Sequence, residues 1–226
     1  MVNKLVLFGA NSEISKELIK ICRLKNYEVI GISRKMIDNF EKHESIIVKD
    51  YLEDYEKIVM SLKSYKNLTI IFFNGALYEN RPLKSPNEEE IFKTKFINFN
   101  IPYDLCKKLN TDLDNVNKFV FISSMAAVKP RYKNFIYGET KKKLEVSLLE
   151  LNLKSLLIIR FGKIYTKMSE GHGYAPFSLS PEKAAQIIIK KLNKVGLKYA
   201  SFGLFLVSII IKLIPRRILM KNQLNL

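Results

Sequence analysis

Tyr137 and Lys141 stand four residues apart in the stretch YGETKKKLE. On a helix that spacing puts both side chains on one face. A free phenol titrates near pH 10, too high for a base near neutrality. An adjacent ammonium favours the phenolate, and each tenfold gain in its acidity corresponds to about 1.4 kcal/mol between the two protonation states. Such a pair can exchange a proton with an alcohol or a carbonyl. Ser124 comes thirteen residues before Tyr137, at the end of the apolar run KFVFIS. There its hydroxyl is placed to hold a developing oxyanion. The plain alternative is an ordinary charged helix, so the surrounding elements have to decide.

Six short apolar runs read as strands: Lys4–Phe8, Tyr27–Ile32, Ser45–Lys49, Leu68–Phe73, Lys118–Ser123 and Ser155–Arg160. Between them lie helical stretches at Tyr51–Ser64, Glu88–Leu109, Tyr137–Leu151 and Pro181–Lys194, and a first helix carrying Ile14, Leu18, Ile21 and Cys22 on one face. Near-continuous apolar strands alternating with helices predict an α/β fold: a doubly wound, mostly parallel, Rossmann-like sheet with helices on both faces. Ligands of such folds bind beyond the carboxyl ends of the strands, here Gly9, Ser33, Asp50, Asn74, Ser124 and Phe161.

Gly9 allows a tight turn and a close approach to a pyrophosphate at the start of the first helix. Asn11 and Ser12 can cap that helix or donate to phosphate oxygens. Glu13 and Ser15 stand where further glycines would complete a phosphate fingerprint, and Glu13 is expected to point outward. After the second strand, Ser33-Arg34-Lys35 replaces the carboxylate that would take NAD ribose hydroxyls. A hydroxyl and two cations suit a 2′-phosphate; a solvated basic turn is the alternative. Asp50 is placed to accept from an adenine amino group, and Asn74-Gly75 to lie beside the adenosine ribose.

Taken in order, these segments resemble the short-chain dehydrogenase/reductase family over about residues 4–192. GANSEIS is similar to its glycine loop, with Ile14 among the cofactor contacts, FNGA to its NNAG segment, and ISS…YGETK to its Ser–Tyr–Lys site. INFN places Asn98 at the family's fourth catalytic position. RFGKIYTKM is similar to the family segment after the sixth strand, with Gly162, Ile164 and Thr166 framing a nicotinamide and Phe161 replacing a proline. The resemblance implies an enzyme that reduces a carbonyl to an alcohol, or the reverse. Tyr137 is implied as proton donor, with Lys141 lowering its pKa and holding the nicotinamide ribose. Ser124 orients the carbonyl, and Asn98 holds a backbone kink and a water. NADP(H) is the implied cofactor and NAD(H) the alternative. A sugar-nucleotide epimerase or dehydratase, and an inactive nucleotide-binding relative, remain open.

Composition bounds the partners. The chain has 226 residues and 47% hydrophobic content, which excludes a disordered protein. Its two cysteines show no metal-ligand or disulfide spacing, and the start lacks a signal peptide, so a cytoplasmic location is expected. The formal charge is +16, with nine Lys or Arg and no Asp or Glu from Lys183 to Leu226. This favours anionic partners, though no nucleic-acid-binding module accompanies it. The family domain is expected over residues 1–198, followed by an apolar and basic tail at 199–226. Tyr199–Ile211 is a run of thirteen residues without charge, too short as a helix to cross the roughly 30 Å hydrocarbon core. Core packing, a subunit contact in a homo-oligomer, or a helix on the inner face of an anionic membrane are its alternatives. Tail and glycine loop are loosely similar to the polyprenylphosphoryl-ketosugar reductases. That likeness implies a keto-sugar carried by a polyprenyl phosphate and a role in cell-envelope polysaccharide synthesis; another small keto compound is the other reading.

Overall fold

The computed structural model describes residues 4–36 and 43–221. Seven parallel strands form one sheet: β1 Lys4–Phe8, β2 Glu28–Ser33, β3 Glu44–Ile47, β4 Leu68–Phe72, β5 Val116–Ser124, β6 Leu156–Phe161 and β7 Gly196–Tyr199. Their order across the sheet is β3-β2-β1-β4-β5-β6-β7. The order reverses direction beside β1, which opens a crevice at the carboxyl edge between β1 and β4.

Strand alternation sends β1 residues to opposite sides. Leu5 and Leu7 join a core with α1 (Glu13–Leu24), α6 (Pro181–Lys191) and α7 (Phe202–Leu213). Val6 and Phe8 join the other core, with α2 (Tyr55–Leu62), α4 (Ile101–Asp112) and α5 (Phe135–Glu150). Register is marked by aromatic rings. Phe8, Phe72 and Phe121 are directly paired on β1, β4 and β5, and their rings stack with centroids 4.9 and 4.7 Å apart.

Two expectations change. The helix foreseen over Glu88–Leu109 is broken into α3 (Glu88–Lys95), a wide π-helical turn over Phe96–Asn100, and α4. Pro102 has no N–H to return to the preceding turn, and the Ile101 N–H reaches back to the Phe96 carbonyl instead. A seventh strand, β7, escaped the reading because it is short and only partly buried. The tail foreseen from residue 199 begins inside it. The tail continues as α7 and a last turn, α8 (Arg216–Leu219); Leu204, Ile211 and Leu219 enter the core. Its final residues, 222–226, lie outside the described part.

Candidate active site

The carboxyl end of β5 delivers Ser124, whose hydroxyl oxygen accepts from the Ala126 N–H at 3.2 Å and pairs with the Tyr137 hydroxyl. Tyr137 and Lys141 lie one turn apart on α5, both buried, with the ammonium 5.9 Å from the centre of the phenol ring. Gly138 lets α5 approach the turn after β5: a Cβ there would stand 2.8 Å from the Ala126 carbonyl oxygen. The Lys141 ammonium donates to the Ile122 carbonyl at 3.2 Å. The pKa directions differ from the sequence expectation. Burial pushes Tyr137 up to about 12, against a smaller downward pull from Ser124. Burial also brings Lys141 down to about 8, against the opposing field of Glu145. The phenol is thus held protonated, as a proton donor must be.

Asn98 sits fully buried in the π-helical turn. Its amide donates to the carbonyls of Ala76 and Thr94 at 2.7 and 2.8 Å and accepts from the Ala76 N–H at 3.3 Å. It clamps the loop after β4, which carries Asn74 and Gly75. Asn98 thus lies where the helix widens into the π-helical turn.

Two buried acids support this corner, and the sequence reading missed both. Glu145 lies one turn beyond Lys141. It accepts from Ser123 Oγ at 2.6 Å and from Arg160 Nε at 2.9 Å, and forms an ion pair with the other end of that guanidinium. Arg160 also donates to the Tyr199 hydroxyl at 2.8 Å. Glu79 is 2% exposed and accepts from the Ile136 N–H at 2.8 Å, in the first turn of α5; Arg81 lies 3.0 Å from its other oxygen. Burial raises its pKa, opposed by those N–H groups and Arg81. The signal for Glu145 was present: an acid at helical spacing from Lys141, and an arginine inside the apolar run SLLIIRF. Glu79 had no comparable periodic mark.

The remaining expected residues share the same sheet edge. Gly9 has φ +78°, and a Cβ there would approach the Phe73 carbonyl carbon to 3.3 Å, so only glycine fits. Ser12 caps α1 by accepting from Ser15 N at 3.1 Å, and Ile14 packs on the core. Asn11 donates to the carbonyls of Lys35 and Met36, and Ser33 to that of Lys35, so both polar groups order the turn after β2. Arg34 is left exposed at that turn. Asp50 accepts from the N–H groups of Leu52 and Glu53. Asn74 Oδ1 is buried without a hydrogen-bond partner beside Gly75.

Residues 163–179 form a lid. Tyr165 donates to Leu179 at 2.9 Å and Leu179 to Lys163 at 3.0 Å, closing a neck just after Gly162. Ile164 accepts from Ser169 Oγ at 2.7 Å, and Thr166 caps the turn at Lys167–Ser169. Met168 reaches Gly75: a Cβ there would lie 3.5 Å from its sulfur. Glu13 is exposed, as expected. Its carboxylate accepts from the Lys167 N–H at 2.9 Å, tying the lid to the start of α1. Between them lies a cleft of about 310 Å³ bordered by Glu13, Lys163, Thr166 and Lys167.

No family model matches the sequence, and no curated protein does. Solved structures do match. A short-chain dehydrogenase from Burkholderia cenocepacia in complex with NADP is 13% identical, with TM-score 0.77, covering 94% of this chain and 93% of its own. A short-chain dehydrogenase family protein from Francisella tularensis is 18% identical, with TM-score 0.72, covering 91% and 100%. A short-chain dehydrogenase from Sphingobium yanoikuyae in complex with NADPH is 13% identical, with TM-score 0.71, covering 93% and 92%. At these identities the likeness is one of architecture: the chain has the Rossmann-like fold of the short-chain dehydrogenases.

Proposed function

We propose that this chain is an NADP(H)-dependent oxidoreductase that interconverts a carbonyl and an alcohol. The observation that carries the reading is the Ser124–Tyr137–Lys141 corner at the carboxyl edge, its tyrosine and lysine buried, with Asn98 clamping the neighbouring loop. The residues present fit a dinucleotide. Gly9 leaves room at the start of α1, Asn74 Oδ1 offers an unused buried acceptor, and exposed Arg34 suits a 2′-phosphate. Two of the matching structures hold NADP or NADPH. Gly162, Ile164 and Thr166 would flank the nicotinamide. The bound nicotinamide would supply the hydride.

The chain's own groups handle position and proton. Ser124 holds the substrate oxygen. Tyr137, kept as a phenol by burial, gives its proton to that oxygen in reduction. Charged Lys141 lowers the cost of the phenolate left behind. The substrate reading is a keto-sugar on a polyprenyl phosphate. It is supported by the short lid and by the apolar, basic α7–α8 segment beside Gly162. Tyr137→Phe tests the chemistry. Nucleotide affinity should stay near wild type while NADPH-dependent carbonyl reduction falls about 100- to 10,000-fold. A wild-type rate in this variant would remove Tyr137 from the mechanism. Comparing soluble keto-sugars with polyprenyl-phosphate-linked ones decides the substrate class; a preference for the soluble compounds would overturn the lipid-linked reading.

A further inference from the structure

Helix α7, FGLFLVSIIIKL, is apolar almost all round, a pattern that belongs inside a protein or a membrane. Only one side of it is covered: Leu204, Ser208 and Ile211 are buried. The opposite side carries Phe202, Phe205, Leu206, Ile209, Ile210 and Leu213, each between 41% and 78% exposed. Their three- and four-residue spacing makes one continuous stripe, and among the described residues nothing lies over it.

Charge selects the occupant. Lys212, Arg216, Arg217 and Lys221 are exposed around the carboxyl end of the stripe, and no acid occurs from Lys183 to Leu226. A second copy docked with its helix parallel would set cations against cations, and in either orientation its own segment 183–226 brings no acid to pair them. Acidic headgroups complement them. The helix has twelve residues, about 18 Å, and no helix among the described residues is long and apolar enough to cross a membrane. We propose that the outer face of α7 is a docking surface for an anionic membrane, the helix lying along the headgroup boundary.

The inner face of the same helix is wired to the candidate site. A Cβ on Gly162 would stand 3.3 Å from the Leu204 side chain. The ring of the lid residue Phe177 occupies the space that a side chain on Gly203 would need, within 2.4 Å. Lys129, on the loop after Ser124, donates to the carbonyls of Lys212 and Ile214 at 3.0 and 2.5 Å. Arg216 lies over Phe135, the first residue of α5. Docking would therefore set the lid beside the bilayer, where a substrate with a lipid tail would be held. That last step rests on the reductase reading; the docking surface does not.

Cosedimentation of the full chain with phosphatidylcholine vesicles, with and without phosphatidylglycerol, tests the proposal. The expected result is binding to the anionic vesicles that weakens as salt rises. Leu206→Asp with Ile210→Asp should weaken it more than about tenfold, through lost apolar burial and added charge. Arg217→Ala with Lys221→Ala should weaken it about fivefold per cation, and decides the matter if the first pair fails to fold. Wild-type protein left in the supernatant at low salt overturns the proposal. Equal binding to both vesicle types does so too. A dimer that the two aspartates dissociate, without vesicle binding, assigns the face to a second copy and overturns it as well. Vesicle binding is read without nucleotide or substrate, so a failed reductase assay leaves it standing. An active reductase that ignores vesicles sinks the docking alone.

Discussion

Replacing Glu145 by Gln keeps the side-chain shape and removes one buried negative charge. Glu145 is 3% exposed and sits one helical turn from Lys141, whose charged form it supports. Side chains at that spacing start about 6 Å apart, and two elementary charges at that distance interact by about 2.8 kcal/mol at an effective dielectric of 20. The Arg160 cation is present before and after, so it drops out of the difference. At about 1.4 kcal/mol for each tenfold change in acidity, the Lys141 pKa would fall by roughly two from its already lowered value of about 8. The sign follows. A lysine works here as a cation, so activity is lost as pH rises through its pKa. Wild type should therefore lose carbonyl-reduction rate above about pH 8, and Glu145→Gln should lose it near pH 6. Glu145→Asp should restore part of the difference. The assay is the initial rate of NADPH oxidation across pH at saturating nucleotide, with near-ultraviolet dichroism confirming the fold. Breaking a buried pair by removing one partner costs about 3–5 kcal/mol of stability, so a lower melting temperature alone supports nothing. A folded Glu145→Gln protein whose alkaline limb stays at the wild-type pH would refute the reasoning.

Lys141→Met should abolish turnover yet raise stability. Lowering the lysine from 10.5 to about 8 on folding makes its charged form a destabilising group at neutral pH, by a few kcal/mol, a cost that disappears as pH rises from about 8 to 10.5. Thermal melts of both proteins at pH 7 and pH 10 check this, and the gap should narrow at the higher pH. Arg34→Ala should weaken NADPH about tenfold or more while leaving NADH nearly unchanged, because a charge-assisted contact is lost only from the 2′-phosphate; paired titrations decide. Gly203→Ala places a Cβ within 2.4 Å of the Phe177 ring and should push the lid aside. Limited proteolysis should then cut the lid region, residues 165–178, faster than in wild type.

The sheet was legible because its inner strands are nearly continuous apolar runs. β7 was not, because GLKY at an edge is half polar and partly exposed. The interruption in the helix at Phe96–Asn100 was hidden because the surrounding residues keep helical composition; only Pro102 marked it. Residue types and spacing picked out Gly9, Ser124, Tyr137 and Lys141, and the resemblance added Asn98, Gly162, Ile164 and Thr166; the structure sets Ser124, Tyr137 and Lys141 beside one another. The pKa direction of Tyr137 was read the wrong way. Sequence shows the neighbouring lysine, but burial, which raises the pKa against the pull of Ser124, is a property of the packed fold. Glu145 could be placed on the helix, yet its partners Ser123 and Arg160 come from β5 and β6, contacts that no local pattern encodes. Glu13, expected to point outward, is exposed and also holds the lid through the Lys167 N–H, a contact its position in the sequence does not announce.

The neck formed by Tyr165, Leu179 and Lys163 has an evolutionary consequence. It fixes both ends of the intervening loop at one point, so the rest of the chain senses that loop through a few contacts, among them Glu13 with Lys167, Gly75 with Met168 and Gly203 with Phe177. Loop-closure entropy grows only with the logarithm of length, and doubling such a loop costs about 0.6 kcal/mol. Insertions that spare those contacts would be nearly neutral for stability while reshaping the border of the cleft beside Glu13. The scaffold can thus vary this one segment by drift while Ser124, Tyr137 and Lys141 keep their places on other elements.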